Sequence, residues 1–412
     1  LKGAEAIRAQ MGMYVGATDT DAITHIAKEV IGNSIDEAAS GHGDTICITM
    51  RNGIVTVADF GRGIPVGPSS DNPKIDTLEL VATELHAGGK SSANNSGYEE
   101  GTLGVFGVGL AVVNALSANM QIWTFRKKWY TQKYAKGVAV SKVQKASETP
   151  PKIAGHDLSG GTIVRFKPDL TAFDKGSKLD AEAVLNYIRT LSWFVWQKTK
   201  KGYNPIRFIV KVEDEKPVTI ERKAFSDLFK HYCAQASCEP VIVEKPIEIR
   251  SKNYDILIGW TSSDLDGHQA YTNSLANPEG GTQLNAVKKV IKTVIEPMAK
   301  KNQNFNIDTF LSGAFIVVNV RIKAPKFSSQ DKRRLISKDV EPMAVEQVLP
   351  EIQAWAKKNK SAIRDLLDRG KEIGSILDDA KIKKALAAAV KTKSSKGALT
   401  WPKGFVQSTT KN

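Results

Sequence analysis

The run Glu29-Val30-Ile31-Gly32-Asn33-Ser34-Ile35-Asp36-Glu37 places acidic and amide side chains at helical spacing. At about 100° per residue, Glu29, Asn33 and Asp36 project to one side of a helix. A carboxylate there could activate a water, and an amide oxygen one turn later could bind a hard cation such as Mg²⁺. Taken alone, such a pattern is more often a solvated helix face than an active site. The function therefore depends on the segments downstream in the chain.

The first glycine-rich segment comes after an alternating stretch at residues 54–58 that is typical of a strand. Gly61 and Gly63 then allow the chain to turn tightly. Asp59, at the end of the strand, could accept a hydrogen bond from an exocyclic amine such as that of adenine. An Asx-turn that closes a hairpin is the other interpretation, and on this segment alone the more common one.

The second glycine-rich segment, residues 101–109, leads into a helical run at residues 110–116. Free backbone N–H groups and the positive end of a helix dipole suit phosphates. The segment is not a Rossmann fingerprint, because no third glycine comes after Gly107 and Gly109. Nor is Lys90 part of a Walker A loop, since Glu84 stands where that loop requires glycine.

The three segments together resemble the GHKL ATPases, whose nucleotide site combines an acidic-Asn helix, a D-x-G-x-G loop and a G-x-x-G-x-G lid. Within this superfamily the chain is most similar to the ATPase subunits of type IIA DNA topoisomerases, the gyrase B and topoisomerase IV ParE group. Four further stretches carry the narrower match, at residues 12–16, 85–90, 160–166 and 325–332.

The resemblance implies a mixed α+β and α/β fold in two domains. Residues 1–222 would form a GHKL (Bergerat) ATPase α/β sandwich, with a lid around residues 91–98. Residues 223–391 would form a transducer domain of ribosomal S5 domain 2-like fold, with a left-handed βαβ crossover and long C-terminal helices. Residues 392–412 would be a linker toward an absent TOPRIM domain, so we expect this part not to cut DNA by itself.

Hydrophobic periodicity places several elements of these domains. It predicts a helix over residues 181–198, with Trp193 and Trp196 as packing residues and not as a base-stacking pair. It also predicts strands at 120–125, 162–166, 254–260 and 315–320, a helix from 283 to about 300, and long helices over 343–390.

The resemblance also assigns roles to individual residues. Glu29 matches the general base that polarises the attacking water, and Asn33 matches the Mg²⁺ ligand. Asp59 matches the aspartate that reads adenine, and Thr162 the hydroxyl that supports it through a water. Gln330 and Lys332 match the loop that senses the γ-phosphate, with Lys332 stabilising the transition state. The other implied nucleotide contacts are Gly63, Ile64, Pro65, Lys90, Gly104, Val105, Gly107, Val108 and Gly109.

The resemblance implies an ATP-dependent DNA topoisomerase, of which this chain is the ATPase part. It would bind and hydrolyse ATP with Mg²⁺, dimerise on ATP binding and drive DNA strand passage. Its implied partners are double-stranded DNA, a second copy of the chain and a DNA-cleavage subunit or domain of the GyrA/ParC type, with no membrane. The implied location is the cytoplasm, in association with the nucleoid, or the host cytoplasm for a viral protein.

Two alternatives remain open. One is a nucleotide-gated clamp with little or no turnover, and the other is another GHKL ATPase such as a MutL-type mismatch-repair protein. Departures from the family pattern keep the first alternative in view, because Gly32 stands where gyrases usually carry Asp. Further departures, which together suggest a divergent, viral or plasmid-borne member, are Phe60, Phe106, Thr131 and Asp331.

Composition supports this interpretation without establishing it. The 412 residues carry a formal net charge of +14, which favours a polyanionic partner. A lysine-rich stretch from residue 381 to 396 would bind phosphates non-specifically. The three cysteines are too few for a disulfide framework. Cys233 and Cys238 beside His231 lack a second ligand pair, so free thiols are expected there in place of a metal site.

Overall fold

The computed structural model of the chain describes residues 3–70, 72–85, 109–199, 202–243, 245–263, 267–299, 306–329 and 332–393. The helices within them are α1 Ala4–Ala9, α2 Met11–Val15, α3 Thr20–Ala39, α4 Thr77–Thr83, α5 Gly109–Ala115, α6 Ala181–Leu191, α7 Asp227–Ala236, α8 Thr282–Ile295, α9 Ile307–Phe310, α10 Val340–Gln347, α11 Leu349–Lys358 and α12 Lys360–Lys393. A 3-10 turn, Glu296–Met298, extends α8.

The strands form two larger sheets and one hairpin. They are β1 Thr45–Arg51, β2 Ile54–Asp59, β3 Ser117–Arg126, β4 Lys128–Ala135, β5 Val138–Ala139, β6 Gln144–Lys145, β7 Thr162–Pro168, β8 Trp196–Thr199, β9 Gly202–Pro205, β10 Arg207–Val212, β11 Val218–Ile220, β12 Ile247–Arg250, β13 Tyr254–Trp260, β14 Gln269–Thr272, β15 Leu275–Ala276 and β16 Ala314–Val320.

The first sheet has the order β11-β10-β1-β2-β7-β3-β4-β5, with β6 beside β4. Only the β1–β10 pair is parallel among the pairings described. Successive residues of a strand face opposite sides. On β1, Ile46 and Ile48 therefore enter the main core beneath the helices, whereas Cys47 packs on the other face with Trp123. The result is a sheet with helices on one face.

The second sheet has the order β12-β13-β16-β14-β15, and its strands β13 and β16 are buried on both faces. Ile316 and Val318 on β16 pack toward α8, α10 and α11, while Phe315 and Val317 pack toward α7. Burial on both faces explains why the whole of β16 is apolar except Asn319. Strand β14 lies parallel to β16, with β15 and α8 between them in sequence, so α8 is the crossover helix of a βαβ unit. The left-handedness expected of this crossover stays a prediction.

The helix predicted over residues 181–198 is shorter than expected, and that prediction is wrong beyond Leu191. Ser192 ends α6, and Trp196 already belongs to strand β8. Trp193 and Phe194 instead join an aromatic cluster with the second sheet, where the Phe194 and Tyr271 rings lie 4.4 Å apart. The end of the helix at Ser192 lets the consecutive Trp193 and Phe194 both pack in this cluster.

The two tryptophans of this region are packing residues, as predicted. Arg222 lies 3.8 Å from the Trp193 ring centroid, and Arg250 lies 4.5 Å from the Trp196 ring centroid. Guanidinium groups over indole faces gain cation–π energy. These contacts join the first sheet's helix layer to the second sheet's aromatic cluster.

The other predicted elements appear close to their expected positions. Strands β2, β3, β7, β13 and β16 and helices α5, α8 and α10–α12 match the periodicity, and the mixed α/β fold class is confirmed. The domain bounds at 222 and 391 stay predictions. Cys47, Cys233 and Cys238 are buried free thiols. None of the helices among the described residues has the length and apolarity needed to cross a lipid bilayer.

Candidate active site

Helix α3 carries the first group of candidate residues. Its N-cap Asp19 accepts a hydrogen bond from the Asp21 backbone N–H, which satisfies one of the free donors at the helix start. One side of the helix is buried against the core, and Asn33 on another side is exposed. Asp36, expected on the same side of the helix as Glu29 and Asn33, is buried. The helical period places Asp36 correctly along the axis, but packing covers this end of the face.

Glu29 lies between α3 and the start of α5. Its Oε1 is 3.2 Å from His25 Nε2, one turn earlier on the same helix, and its side chain is 34% exposed. A Cβ placed on Gly109 would lie only 2.3 Å from Glu29 Oε2. Glycine at the first position of α5 therefore lets the carboxylate approach the helix backbone. The Glu29 carboxylate therefore stays partly exposed.

Asp59 ends the central strand β2 and is buried, with 6% of its surface exposed. Its Oδ1 accepts hydrogen bonds from the backbone N–H groups of Gly61 (3.0 Å) and Thr162 (3.2 Å). Its Oδ2 accepts one from the Ser34 hydroxyl at 3.2 Å, which leaves capacity for another donor. The strand register explains the arrangement, because Thr162 is directly opposite Asp59 on β7.

Burial raises the pKa of the Asp59 carboxyl to about 6. The hydrogen bonds from Gly61, Thr162 and Ser34 oppose this rise, and the nearby charge of Glu37 adds to it. Desolvation disfavours the charged form of a buried carboxyl, and a like charge disfavours it further. Asp59 is thus poised to gain from a ligand that donates a hydrogen bond to its charged form.

The turn after Asp59 is fixed by an ion pair and by a glycine. Arg62 donates to Glu37 through its backbone N–H (2.9 Å), Nε (2.8 Å) and Nη2 (2.9 Å). Burial alone would raise the pKa of Glu37, but these hydrogen bonds outweigh it and lower the pKa. Gly63 has φ +77°, and a Cβ there would lie 2.5 Å from the Phe125 carbonyl oxygen. The backbone can pass β3 at this point only with glycine.

The residues after Gly63 connect the turn to β3. Thr124 Oγ1 donates to the Ile64 carbonyl oxygen at 2.9 Å. Ile64 also packs against the main core, whereas Pro65 is exposed. Thr124 is itself paired with Thr162 across β3 and β7. Strand pairing and hydrogen bonds therefore connect Asp59, Thr162 and the turn at residues 63–65 to one another.

We call the part of the chain built on the first sheet the first unit, and the part built on the second sheet the second unit. Eight of the predicted site residues lie in the first unit: Glu29, Asn33, Asp59, Gly63, Ile64, Pro65, Gly109 and Thr162. Six others lie outside the described residues: Lys90, Gly104, Val105, Gly107, Val108 and Gln330. Lys332 lies in the second unit. There its N–H donates to the Ser329 carbonyl (3.1 Å), and its own carbonyl accepts from Asn277 Nδ2 (2.7 Å).

Three contacts in the site were missed from the sequence, namely those of His25, Ser34 and Glu37. His25 precedes Glu29 by four residues, so the i, i+4 spacing could have identified it. Glu37 and Arg62, by contrast, are 25 residues apart in the chain. Ser34 meets Asp59 across the same sequence separation. No local pattern encodes either of these pairings.

Comparison with known families assigns both units. The family described as "Histidine kinase-, DNA gyrase B-, and HSP90-like ATPase" matches residues 18–172, which contain α3, Asp59 and Thr162. The family described as "DNA gyrase B" matches residues 212–386, which contain the second sheet and Lys332. The first unit thus matches a family of GHKL-class ATPase domains.

Curated relatives agree with this assignment. The B subunit of DNA gyrase from Thermotoga maritima is 29% identical over 391 residues, covering 90% of this chain and 58% of that protein. The B subunit of DNA gyrase from Rickettsia prowazekii is 30% identical over 385 residues, covering 89% of this chain and 45% of that protein. The B subunit of DNA topoisomerase 4 from Rickettsia conorii is 30% identical over 386 residues, with 89% and 56% covered. The chain spans about half the length of these relatives.

Solved structures show the same fold. The 43K ATPase domain of Thermus thermophilus gyrase B, crystallised with an aminocoumarin, aligns with a TM-score of 0.74 at 23% identity, covering 94% of this chain and 98% of that one. The ATPase region of Saccharomyces cerevisiae topoisomerase II aligns with a TM-score of 0.63 at 19% identity, covering 91% and 98%. These structures show the fold, and the family matches and curated relatives show that the chain is similar to the B subunits of the type IIA topoisomerases.

Proposed function

We propose that this chain is the ATP-hydrolysing, nucleotide-gated dimerisation module of a type IIA DNA topoisomerase. The observation that supports the proposal is that two carboxyl groups adjoin helix α3: the buried Asp59, which accepts from Ser34 of that helix, and the partly exposed Glu29 on the helix itself. The 212–386 match to gyrase B favours this function over a MutL-type mismatch-repair ATPase.

Asp59 is proposed to read the adenine ring. Its Oδ2 accepts from Ser34 and has room to accept from an exocyclic amine as well. Thr162 supports it from the opposite strand through its backbone N–H. Gly63 lets the backbone approach the base, and Ile64 and Pro65 line the site. Such a polar anchor in an otherwise apolar setting fixes the orientation of a bound base.

Glu29 is proposed to be the general base that takes a proton from the attacking water. His25 orients it through the 3.2 Å contact to Oε1. The start of α5 at Gly109 lies against Oε2, and we propose that its N–H joins those of Gly104, Val105, Gly107 and Val108 in holding the phosphates. Lys90, Gln330 and Lys332 would contribute at the phosphate tail, with Lys332 stabilising charge in the transition state.

Asn33 is proposed to hold Mg²⁺. Its exposed amide lies one turn after Glu29 and offers the oxygen ligand that this hard cation prefers. The described residues contain no group of three or more His, Cys, Asp or Glu side chains suited to a metal ion. A single protein ligand, the Asn33 amide oxygen, still fits Mg²⁺, which is commonly bound by one or two protein ligands together with phosphates and waters. When bound, the ion would neutralise charge on the phosphates.

The partners and location come from the same proposal. The chain would dimerise when ATP binds and act on double-stranded DNA together with a DNA-cleavage subunit or domain of the GyrA/ParC type. Its net charge of +14 supports a polyanionic partner. A protein acting on DNA in this way would be associated with the nucleoid in the cytoplasm, or with the host cytoplasm for a viral protein.

The test is the ATPase rate as a function of protein concentration, with Mg²⁺ present and Glu29→Ala as the reference. We expect a specific activity that rises with concentration, because two copies complete the site, and that disappears in the variant. The variant should still dimerise on adding a non-hydrolysable ATP analogue. Loss of analogue binding together with turnover would contradict the role of Glu29 as a base.

A clamp with little turnover is the second candidate function. It is favoured by Gly32, which is buried inside α3 directly before Asn33, where gyrases usually carry Asp. Wild-type protein that dimerises with the analogue but hydrolyses ATP no faster than Glu29→Ala at any concentration would support the clamp.

A further inference from the structure

Two segments of the second unit run side by side where the loop bearing Lys332 returns to the start of α8. The Glu279 N–H donates to the Arg333 carbonyl at 3.1 Å, and Arg333 Nε donates to Glu279 Oε1 at 2.7 Å. The Thr282 N–H donates to the Leu335 carbonyl at 3.0 Å. The end of the loop is therefore fixed to the turn that precedes α8, and the two should move together.

Asn277 extends this contact to Lys332 itself. Its Nδ2 donates to the Lys332 carbonyl at 2.7 Å, and its side chain is 1% exposed. Its Oδ1 accepts from Thr272 Oγ1 at 2.7 Å and from Gln283 Nε2 at 3.0 Å. The Lys332 carbonyl can only accept, so the reversed amide would place an oxygen against it, and this contact fixes the orientation of the amide. The amide nitrogen is then directed toward Lys332.

The backbone of Lys332 is in an uncommon conformation. Its φ of +57° is in the left-handed region, which residues with a Cβ rarely adopt. Its N–H donates to the Ser329 carbonyl at 3.1 Å and its carbonyl accepts from Asn277, so both backbone polar groups of Lys332 are held. Conformations of this kind persist only where surrounding contacts enforce them. The direction in which the Lys332 side chain leaves the loop therefore depends on Asn277.

We infer that Asn277 is a positioning residue for the phosphate-sensing lysine Lys332. The inference rests on the proposed role of Lys332 and adds a buried amide that holds it in place. Asn277 acts through Lys332 and does not contact the nucleotide. It also ties Lys332 to β14 through Thr272 and to α8 through Gln283, so a displacement of the lysine would be transmitted to the sheet and its crossover helix.

The test uses Asn277→Asp in the full chain at pH 8. This change keeps the oxygen that accepts from Thr272 and Gln283 but replaces the donor to Lys332 with a second acceptor. Asn253 provides a matched control in the same unit. It is 4% exposed, its Nδ2 donates to the Arg321 carbonyl at 2.8 Å, and its Oδ1 accepts from Gln347 Nε2 at 2.9 Å. Asn253→Asp therefore makes the same chemical change away from Lys332.

We expect Asn277→Asp to lower the kcat for ATP about tenfold and to leave KM within about twofold, because the base-binding site is in the other unit. Asn253→Asp should change kcat by less than about twofold, even if it lowers the melting temperature as much as Asn277→Asp does. The decisive measurement is a double-mutant cycle with Lys332→Ala. In the Lys332→Ala variant, Asn277→Asp should have no further effect on kcat. If Asn277 had a merely structural role, the substitution would lower kcat in that variant as well.

The outcomes separate the inference from the proposed function. An unchanged kcat in Lys332→Ala would overturn the role of Lys332 and the inference with it. If Lys332→Ala lowers kcat, two results would overturn the inference alone. One is that Asn277→Asp leaves kcat unchanged in both backgrounds, and the other is that it lowers kcat by the same factor in both. Should Asn277→Asp fail to fold, the cycle is repeated with Asn277→Ala, whose small side chain leaves room for a water.

Discussion

At one end of the candidate site Asp59 is 6% exposed and hydrogen-bonded on both oxygens, whereas at the other end Glu29 is 34% exposed and paired with His25. Asp59 is at the end of a central strand, where Thr162 on the neighbouring strand β7 and Gly61 in the following turn supply its backbone donors. Glu29 is on a helix, with about a third of its side chain exposed. The recognition end is preorganised, while the reactive end keeps an accessible carboxyl. Nucleotide binding and turnover should therefore respond separately to substitution.

The largest expected effect is on turnover through Glu29. Glu29→Gln keeps the shape and hydrogen-bonding capacity of the side chain but removes its basicity. We expect kcat to fall by roughly 10³-fold, within the range for loss of a general base, with analogue affinity changed less than about threefold. Steady-state kinetics and titration with a non-hydrolysable analogue check both values. An equal loss of affinity would mean that the two ends are not separable.

Asp59→Asn tests the recognition end. At pH 8 we expect nucleotide affinity to fall roughly 30-fold, as for loss of a hydrogen bond to a charged group. Stability should change in the opposite direction. The pKa of about 6, against an ordinary 3.8, means that folding makes the charged carboxyl less favourable. Removing that charge should raise the unfolding free energy at pH 8 by up to about 3 kcal/mol. Denaturant titration measures the change.

The same carboxyl predicts opposite pH dependences for stability and binding. Because its folded pKa is raised, the stabilising contribution of Asp59 is fully present below about pH 4 and is lost as the pH rises through about 6. Analogue binding requires the charged form, so affinity should fall about tenfold per pH unit below pH 6. Asp59→Asn should flatten both profiles between pH 4 and 7. A profile unchanged in the variant would assign the titration to another group.

Gly109→Ala tests how the reactive end is packed. The added Cβ would lie 2.3 Å from Glu29 Oε2, so the carboxylate must move. Because that atom is the end of a flexible side chain, we expect little change in melting temperature but a kcat about tenfold lower, since the base is misplaced. Gly12→Ala, on α2, is the control, because a Cβ there meets no atom within 4 Å. Equal kcat values for the two variants would contradict the proposed geometry.

The smallest expected effect concerns Glu37. Its charge contributes to the raised pKa of Asp59. Glu37→Gln should therefore shift the midpoint of the binding profile toward lower pH, by less than about one unit because the Arg62 partner is exposed and solvent screens the interaction. The stability change should stay below about 1 kcal/mol. A shift toward higher pH would contradict this electrostatic account of Asp59.

Much of the fold and part of the site were predictable from side-chain order. The spacing of Glu29 and Asn33 predicted their helix, and alternation predicted strand β2 up to Asp59. Helix and strand periods of 3.6 and 2 appear directly in a sequence, so elements with one clear period are readable. The glycines at 61 and 63 marked the turn for the same local reason. The resemblance then supplied roles that periodicity could not.

Predictions failed where an element's environment changed along its length. The period of residues 181–198 continued past Leu191, but burial of Trp193 and Phe194 against the second sheet ended the helix. Asp36 shares the helical face of Glu29 yet is buried, because the period specifies a direction and not what covers it. The error over residues 181–198 comes from packing between elements, and the same kind of packing covers Asp36.

The order of the elements and the chemistry of the candidate residues were therefore determined by the sequence, because both depend on neighbours along the chain. The contacts that give these residues their properties were decided by the tertiary structure. Ser34 and Thr162 reach Asp59 from 25 and 103 residues away, and Asn277 reaches Lys332 across 55. Strand register and packing bring such residues together, and no local period records either of them.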